Sequence, residues 1–377
     1  MGDNYFYFDY ASTTQVKKPV YEAMQPYLTS EFGNPSSKYQ IGYEARKAVE
    51  ESRETVANTI GANPDEIFFT SCGSEANTWA MTKVIGATSD RTALISPIEH
   101  HSVLNAVHRR DFLDVDSFGL IHTEDIKAKI KNNTYMISTM MVNNEVGTIQ
   151  PVEKIASICK NHGIFYHVDA VQALGHIPID IKNLDGVTTM SFSGHKIGAP
   201  KGIGALYIRK DVQEFYEPLI CGGQQERGLR GGTENVAFIV GFAKACQLIQ
   251  NVEDKQARLR IRTMYCWDSL KENIFNAHLN GLSPLDNLRS PNILNVSFDR
   301  INGEELVELL NEQGYFISTG SACNSDSNEP SHVLKAMGLS DERANSSIRI
   351  SLNEDTTLLE INALCQKIAK DVEMLRG

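Results

Sequence analysis

The chain has 377 residues, with 41% hydrophobic and 22% charged residues and a formal net charge of −11. This is the composition of a globular protein long enough for two domains, and its acidic balance argues against direct, non-specific binding to nucleic acid, which needs a basic face. No apolar run approaches the roughly 20 residues needed to cross a bilayer, so no membrane association is expected. The start, MGDNYFYFDYASTT, lacks the basic region and apolar core of a signal peptide, so the expected location is the cytoplasm. The seven cysteines (Cys72, Cys159, Cys221, Cys246, Cys266, Cys323 and Cys365) are scattered and never spaced as Cys-x-x-Cys. That pattern points away from a disulfide framework and from a zinc site.

In chain order, SKYQIGYEARKAVEESRETVANTI has the spacing of an amphipathic helix. EIFFT (66–70), TALIS (92–96), TYMIST (134–139), IFYHVDA (164–170), VTTMSFS (187–193) and GALYIR (204–209) are β-branched and aromatic runs that predict buried strands. Helical patterns such as PVEKIASICKNHG separate them. Alternation of this kind predicts an α/β domain with a mostly parallel sheet, whose ligands bind beyond the carboxyl ends of the strands. From about residue 245 the texture changes. A long charged helix (EDKQARLRIRTMYCWDSLKENIF), a strand (SPNILNVSFD), a helix (GEELVELLNEQG) and a strand (YFIST) lead to the polar segment GSACNSDSNEPS, a strand (SSIRISL) and a final helix. This predicts a smaller α+β domain with which the first dozen residues pack. The expected division is 14–247 for the large domain, and 1–13 with 248–377 for the small one.

Several polar residues sit just after the expected strands. In TSCGSEAN, Ser and Gly open a helix whose N-terminal N–H groups suit an anion, although a plain Ser N-cap explains the same residues. Asp169 ends a buried strand, where a carboxylate needs a cationic or protonated partner or else caps the next helix; Gln172 follows three residues on. His100 follows TALIS, where its flat ring could stack on a planar ligand. Lys196 lies in SFSGHKI between two buried strands, a place for an amine that forms a Schiff base and must sometimes be deprotonated. A phosphate site, an acid for a pyridinium nitrogen, a stacking His and a Schiff-base Lys together describe a pyridoxal phosphate pocket.

With YFDYASTT, FGNPSS, EHHSVL, VNNEVGTIQP, HVDAVQALG, RGGTENV and STGSACNSDSNEPSHVL added to these motifs, the sequence resembles the cysteine desulfurases of the NifS/IscS kind. These belong to the class V aminotransferase group of fold-type I pyridoxal phosphate enzymes. The resemblance covers nearly the whole chain and departs at Tyr39 and Ala199. It implies a mostly parallel seven-stranded sheet in the large domain. It implies that Lys196 carries the cofactor, Asp169 holds the pyridine nitrogen protonated, Gln172 bonds the ring hydroxyl and His100 stacks on the ring and moves protons. Gly73, Ser74, Ser193 and His195 would hold the phosphate, and Thr233 would reach the partner subunit's phosphate in a homodimer. Asn144 and Arg349 would orient the substrate, Arg349 forking its α-carboxylate. Cys323, on a long flexible loop at about 318–332, would attack the sulfur of L-cysteine as a thiolate, giving alanine and a persulfide for a sulfur-acceptor protein.

Acceptors of such sulfur serve iron–sulfur assembly, tRNA thiolation or DNA phosphorothioation, so nucleic acid would be met through a partner. The chain ends soon after its last helix, whereas longer relatives dock the iron–sulfur scaffold with a C-terminal tail; the expectation of a role in general cluster assembly is weaker for it. Two other enzymes share the cofactor: a selenocysteine lyase, and a transaminase, which would need no thiol at position 323. A sulfur-transfer scaffold without catalysis would need none of Lys196, Asp169 and His100.

Overall fold

The computed structural model describes residues 5–84, 90–320 and 329–377. Their strands are β1 (Phe6–Tyr7), β2 (Ile67–Thr70), β3 (Thr92–Ile95), β4 (Arg110–Phe112), β5 (Thr134–Met140), β6 (Phe165–Asp169), β7 (Thr189–Ser193), β8 (Gly204–Ile208), β9 (Ala277–Asn280), β10 (Ile293–Phe298), β11 (Tyr315–Phe316) and β12 (Ser347–Ser351). Seven of them form one sheet in the order β2-β8-β7-β6-β5-β3-β4. Only β8 runs against its neighbours β2 and β7; the other pairs are parallel. The short connection 194–203 explains the reversal, because a parallel return needs a crossover of a dozen residues or more. The expected α/β class with a mostly parallel seven-stranded sheet is therefore what the chain adopts.

The sheet is buried on both faces, as its continuous apolar strands require. Successive residues of β2 point to opposite sides. Phe69 packs in one cluster with Val49, Val56 and Ile155, and Phe68 in another with Trp79, Val103 and Tyr216. The helix Gln40–Thr59 covers the first face with Ala45, Ala48, Val49, Ser52 and Val56, a spacing of three and four residues. The helix Val152–His162 ends at Gly163, whose φ of 64° is the left-handed conformation that glycine adopts without a Cβ penalty.

A second core is centred on the antiparallel sheet β12-β10-β9. The helices Val252–Asn273 and Leu358–Arg376 cover it, and Leu259, Leu270, Val296, Ile350, Leu364 and Ile368 meet there with Phe8 from the chain's start. Thr357 and Glu360 close the last helix with a reciprocal capping box. β1 pairs in parallel with β11. No helix among the described residues is long and apolar enough to cross a membrane.

The runs that predict strands all become strands, with ends shifted by up to three residues, except that YFIST contributes only Tyr315–Phe316. Two short strands lack a strand signal: β4 is the three-residue edge Arg-Asp-Phe, and β9 (Ala-His-Leu-Asn) has no β-branched residue.

Candidate active site

The carboxyl ends of β5, β6 and β7 and the start of the helix Gly73–Thr82 surround a cavity of about 310 Å3. Lys196 reaches it from the single turn Gly194–Lys196 that follows β7. The turn is tight, since a Cβ on Gly194 would lie 2.8 Å from Ile203 Cγ2. Lys196 Nζ donates to the carbonyls of Ala11 (2.6 Å) and Ser12 (2.8 Å). Beside it, His195 Nδ1 meets Thr13 Oγ1 at 3.1 Å. Burial, then the charges of Lys196 and Lys201, push the His195 imidazole down to about 4, so this ring is neutral near pH 7.

Asp169 ends β6 and is 4% exposed. Its carboxylate accepts from Asn77 Nδ2 (2.7 Å) and from the N–H of Val171 (2.9 Å). Asn77 also donates to Ser102 Oγ at 2.9 Å, while its Oδ1 accepts from Ser191 Oγ and from His167 Nε2, the latter at 3.0 Å. With Asn77 Nδ2 donating to it, Ser102 Oγ directs its own proton to His100 Nδ1 at 2.7 Å. The N–H of Ser102 donates to the same nitrogen at 3.1 Å. His100 therefore carries its ring proton on Nε2. Burial pushes its pKa down, against the pull of Asp169.

Gly73 and Ser74 begin the helix at the cavity wall. A Cβ on Gly73 would sit 2.8 Å from Val171 Cγ2, so only glycine leaves this floor open. Ser193 Oγ is buried and has no partner among the described residues. Gln172 lines the cavity and donates from Nε2 to the Ala11 carbonyl at 2.8 Å.

On the side of the second core, Arg349 on β12 is 2% exposed. It donates to Asp9 Oδ1 and Ser12 Oγ, each at 2.7 Å, and to the carbonyls of Asn144 (2.9 Å) and Gly320 (3.1 Å). Its Nε is buried without a partner among the described residues. Asn144 lines the same cavity. Glu145, fully buried, accepts from Ser331 Oγ at 2.5 Å, and burial raises its carboxyl above the usual range.

Of the residues singled out in the sequence, Gly73, Ser74, His100, Asn144, Asp169, Gln172, Ser193, His195, Lys196 and Arg349 all line this cavity. Thr233 does not; it is exposed just ahead of the helix Val236–Gln247. Cys323 lies outside the described residues. Sequence reasoning missed Asn77, Ser102, Asp9 and Ser12, and also Glu145, His101 and His332. All of them are polar residues within the motifs YFDYASTT, TSCGSEAN, EHHSVL, VNNEVG and EPSHVL, and that is the only signal they give.

The residues fit pyridoxal phosphate. A buried orphan hydroxyl (Ser193) and a side-chain-free helix start (Gly73) stand where a phosphate can be cradled. An amine, a carboxylate and a flat imidazole face the same space.

Residues 6–364 match the family model of class-V aminotransferases. The chain is 43% identical to the cysteine desulfurase IscS of Dictyoglomus turgidum, over 98% of this chain and 95% of that one. A solved NifS-like protein superposes with a TM-score of 0.90 at 36% identity, covering 98% of this chain and all of the other. A structure described as SspA in complex with cysteine superposes with a TM-score of 0.80 at 36% identity, over 93% and 100% of the two chains.

Proposed function

The chain belongs to the class-V aminotransferase family and is a pyridoxal phosphate-dependent cysteine desulfurase, and we propose how its residues divide that work on L-cysteine. The observation that carries the assignment is the convergence of Lys196, Asp169, His100 and Arg349 on one cavity. Bound there, pyridoxal phosphate supplies an electron sink that acidifies the substrate's α-carbon and weakens its Cβ–S bond.

Lys196 is the amine that would tether the cofactor and is placed to move the substrate's α-proton. Asp169, kept in register by Asn77 and the Val171 N–H, would hold a proton on the ring nitrogen. His100 would stack on the ring, and Gln172 retains a second amide proton that the ring hydroxyl could accept. Gly73, Ser74, Ser193 and His195 would hold the phosphate. Arg349 receives the α-carboxylate through its Nε, unpartnered among the described residues, and a neighbouring N–H, with Asn144 beside it. Cys323 takes the sulfur: its thiolate bonds to the substrate sulfur, the Cβ–S bond breaks, and alanine leaves behind a persulfide for an acceptor protein. Thr233, exposed and away from its own cavity, serves the partner subunit of a homodimer. The two main apolar cores support a division at 14–247 and at 1–13 with 248–377. The absence of a disulfide-type cysteine pattern supports the cytoplasm as its compartment.

Non-reducing intact mass after a short pulse of L-cysteine tests this reading on the wild type and Cys323→Ala. One added sulfur on the wild type and none on the variant is expected. Equal sulfur on both would reassign the nucleophile. Alanine without sulfur on either would replace the desulfurase reading with direct release of the chalcogen.

A further inference from the structure

Two imidazoles on the cavity wall have no part in the roles above. His101 opens the short helix after His100, and His332 opens the helix His332–Ala336. Their ring centroids are 4.7 Å apart, with planes tilted by 49°. His332 Nε2 meets the Glu99 carbonyl at 3.0 Å. A carbonyl only accepts, so Nε2 carries the ring proton and Nδ1 of the neutral ring is a bare lone pair. That Nδ1 is buried and has no partner among the described residues, and the same holds for His101 Nε2. A buried lone pair without a donor is costly, and in a ring that lines a reaction cavity it is a base awaiting a proton.

We propose that His332 is a proton shuttle of the desulfuration, taking the proton carried by the substrate sulfur and delivering it to the substrate's Cβ. This rests on the desulfurase reading given above. The balance closes. The Cys323 thiolate bonds to the substrate sulfur, the Cβ–S bond breaks, and its electron pair stays with the Cβ side. The persulfide's S–H proton passes to His332 Nδ1 and then to Cβ, completing the methyl group of alanine. The products are alanine and a persulfide anion, with no outside oxidant or reductant. His100 is less suited, because its Nδ1 is already taken by two donors from Ser102.

The surroundings keep the shuttle neutral between turnovers. His101 packs against His332, and Glu99 touches it through its main-chain carbonyl, with its carboxyl turned to the Met140 N–H; the other titratable groups of the cavity are Glu145, His100, Asp169, His195, Lys196 and Arg349. Glu99 is fully buried; desolvation first, then the charge of Asp169, hold its carboxyl well above the usual range, so it adds no anion to stabilise an imidazolium. Burial lowers the pKa of both His332 and His101.

His332→Gln tests the proposal in the holoenzyme, since a glutamine amide can still donate to the Glu99 carbonyl but cannot take a proton. Alanine formation is measured against pH, with the cofactor's visible absorbance as the check on the site. Expected are a fall in kcat of roughly 100-fold, a KM for L-cysteine within about threefold of wild type, and loss of the acid limb of the kcat profile. A purely packing role would leave that limb in place. A fall of less than about tenfold, or a limb unchanged, overturns the proposal. Should the variant not hold cofactor, the wild type decides: kcat that is flat from about pH 8 to about pH 5 overturns it, and a one-proton acid limb supports it. A wild type that forms no persulfide from L-cysteine would sink the desulfurase reading itself, an outcome separate from these.

Discussion

Around Asp169 the polar side chains close on one another. Asn77 alone ties Asp169, Ser102, Ser191 and His167 together. Around Arg349 and His332, three nitrogens (Arg349 Nε, His101 Nε2 and His332 Nδ1) are buried without partners among the described residues. Apart from the Ser193 hydroxyl, which is unpartnered among the described residues, the first end is a fixed platform, finished before any ligand arrives. The second end keeps its valences open for groups that come and go in each cycle. A permanent cofactor needs the former, and a substrate whose bonds change needs the latter.

The comparison is broken most severely at Asn77. Asn77→Leu has a similar volume but leaves the His167 N–H, the Ser191 hydroxyl and one oxygen of Asp169 without their partner. Each buried orphan costs about 1–3 kcal/mol, so a loss of about 4 kcal/mol is expected in urea unfolding of the holoenzyme. A loss below about 1 kcal/mol would mean that the closed end is not what fixes the site.

A milder probe is acid. Burial depresses the His167 pKa from 6.5 to about 3. The unfolded chain therefore binds the proton first, so the contribution is complete above the unfolded pKa and is lost as pH falls from 6.5 toward 3. Between pH 7 and pH 5 the loss from this group is about 2 kcal/mol. His167→Gln should flatten the fall of stability with pH by that amount; an unchanged slope would show that the ring is not a buried neutral donor.

The smallest expected effect is at the open end. Arg349→Lys keeps the charge but loses the planar fork. KM for L-cysteine should rise about tenfold, equivalent to about 1.4 kcal/mol, with kcat within about threefold. An unchanged KM would remove Arg349 from substrate binding.

The closed end was half legible in the sequence. Lys196, Asp169 and His100 stand at strand ends, where the α/β rule places ligand groups. Asn77 was not legible, because its partners are 25, 90, 92 and 114 positions away and nothing in one helix turn announces them. At the open end, Arg349 came from the motif resemblance alone. His332 stayed silent because an unused lone pair is visible only once the other nitrogen's partner is known. Every strand of the large sheet except β4 was legible from composition, but the reversed direction of β8 follows from loop length rather than from any residue in the strand.

Lys196, Gln172 and Arg349 all bond to residues 9–12, across separations as large as 340 positions. On a ribosome that segment emerges before all three and must wait roughly 20–70 s, at ~5–20 residues per second, for the last of them. The cavity can therefore close only after Arg349 has been made. A nascent chain halted before Arg349 would lack this clasp, and the cofactor would be captured only after that point.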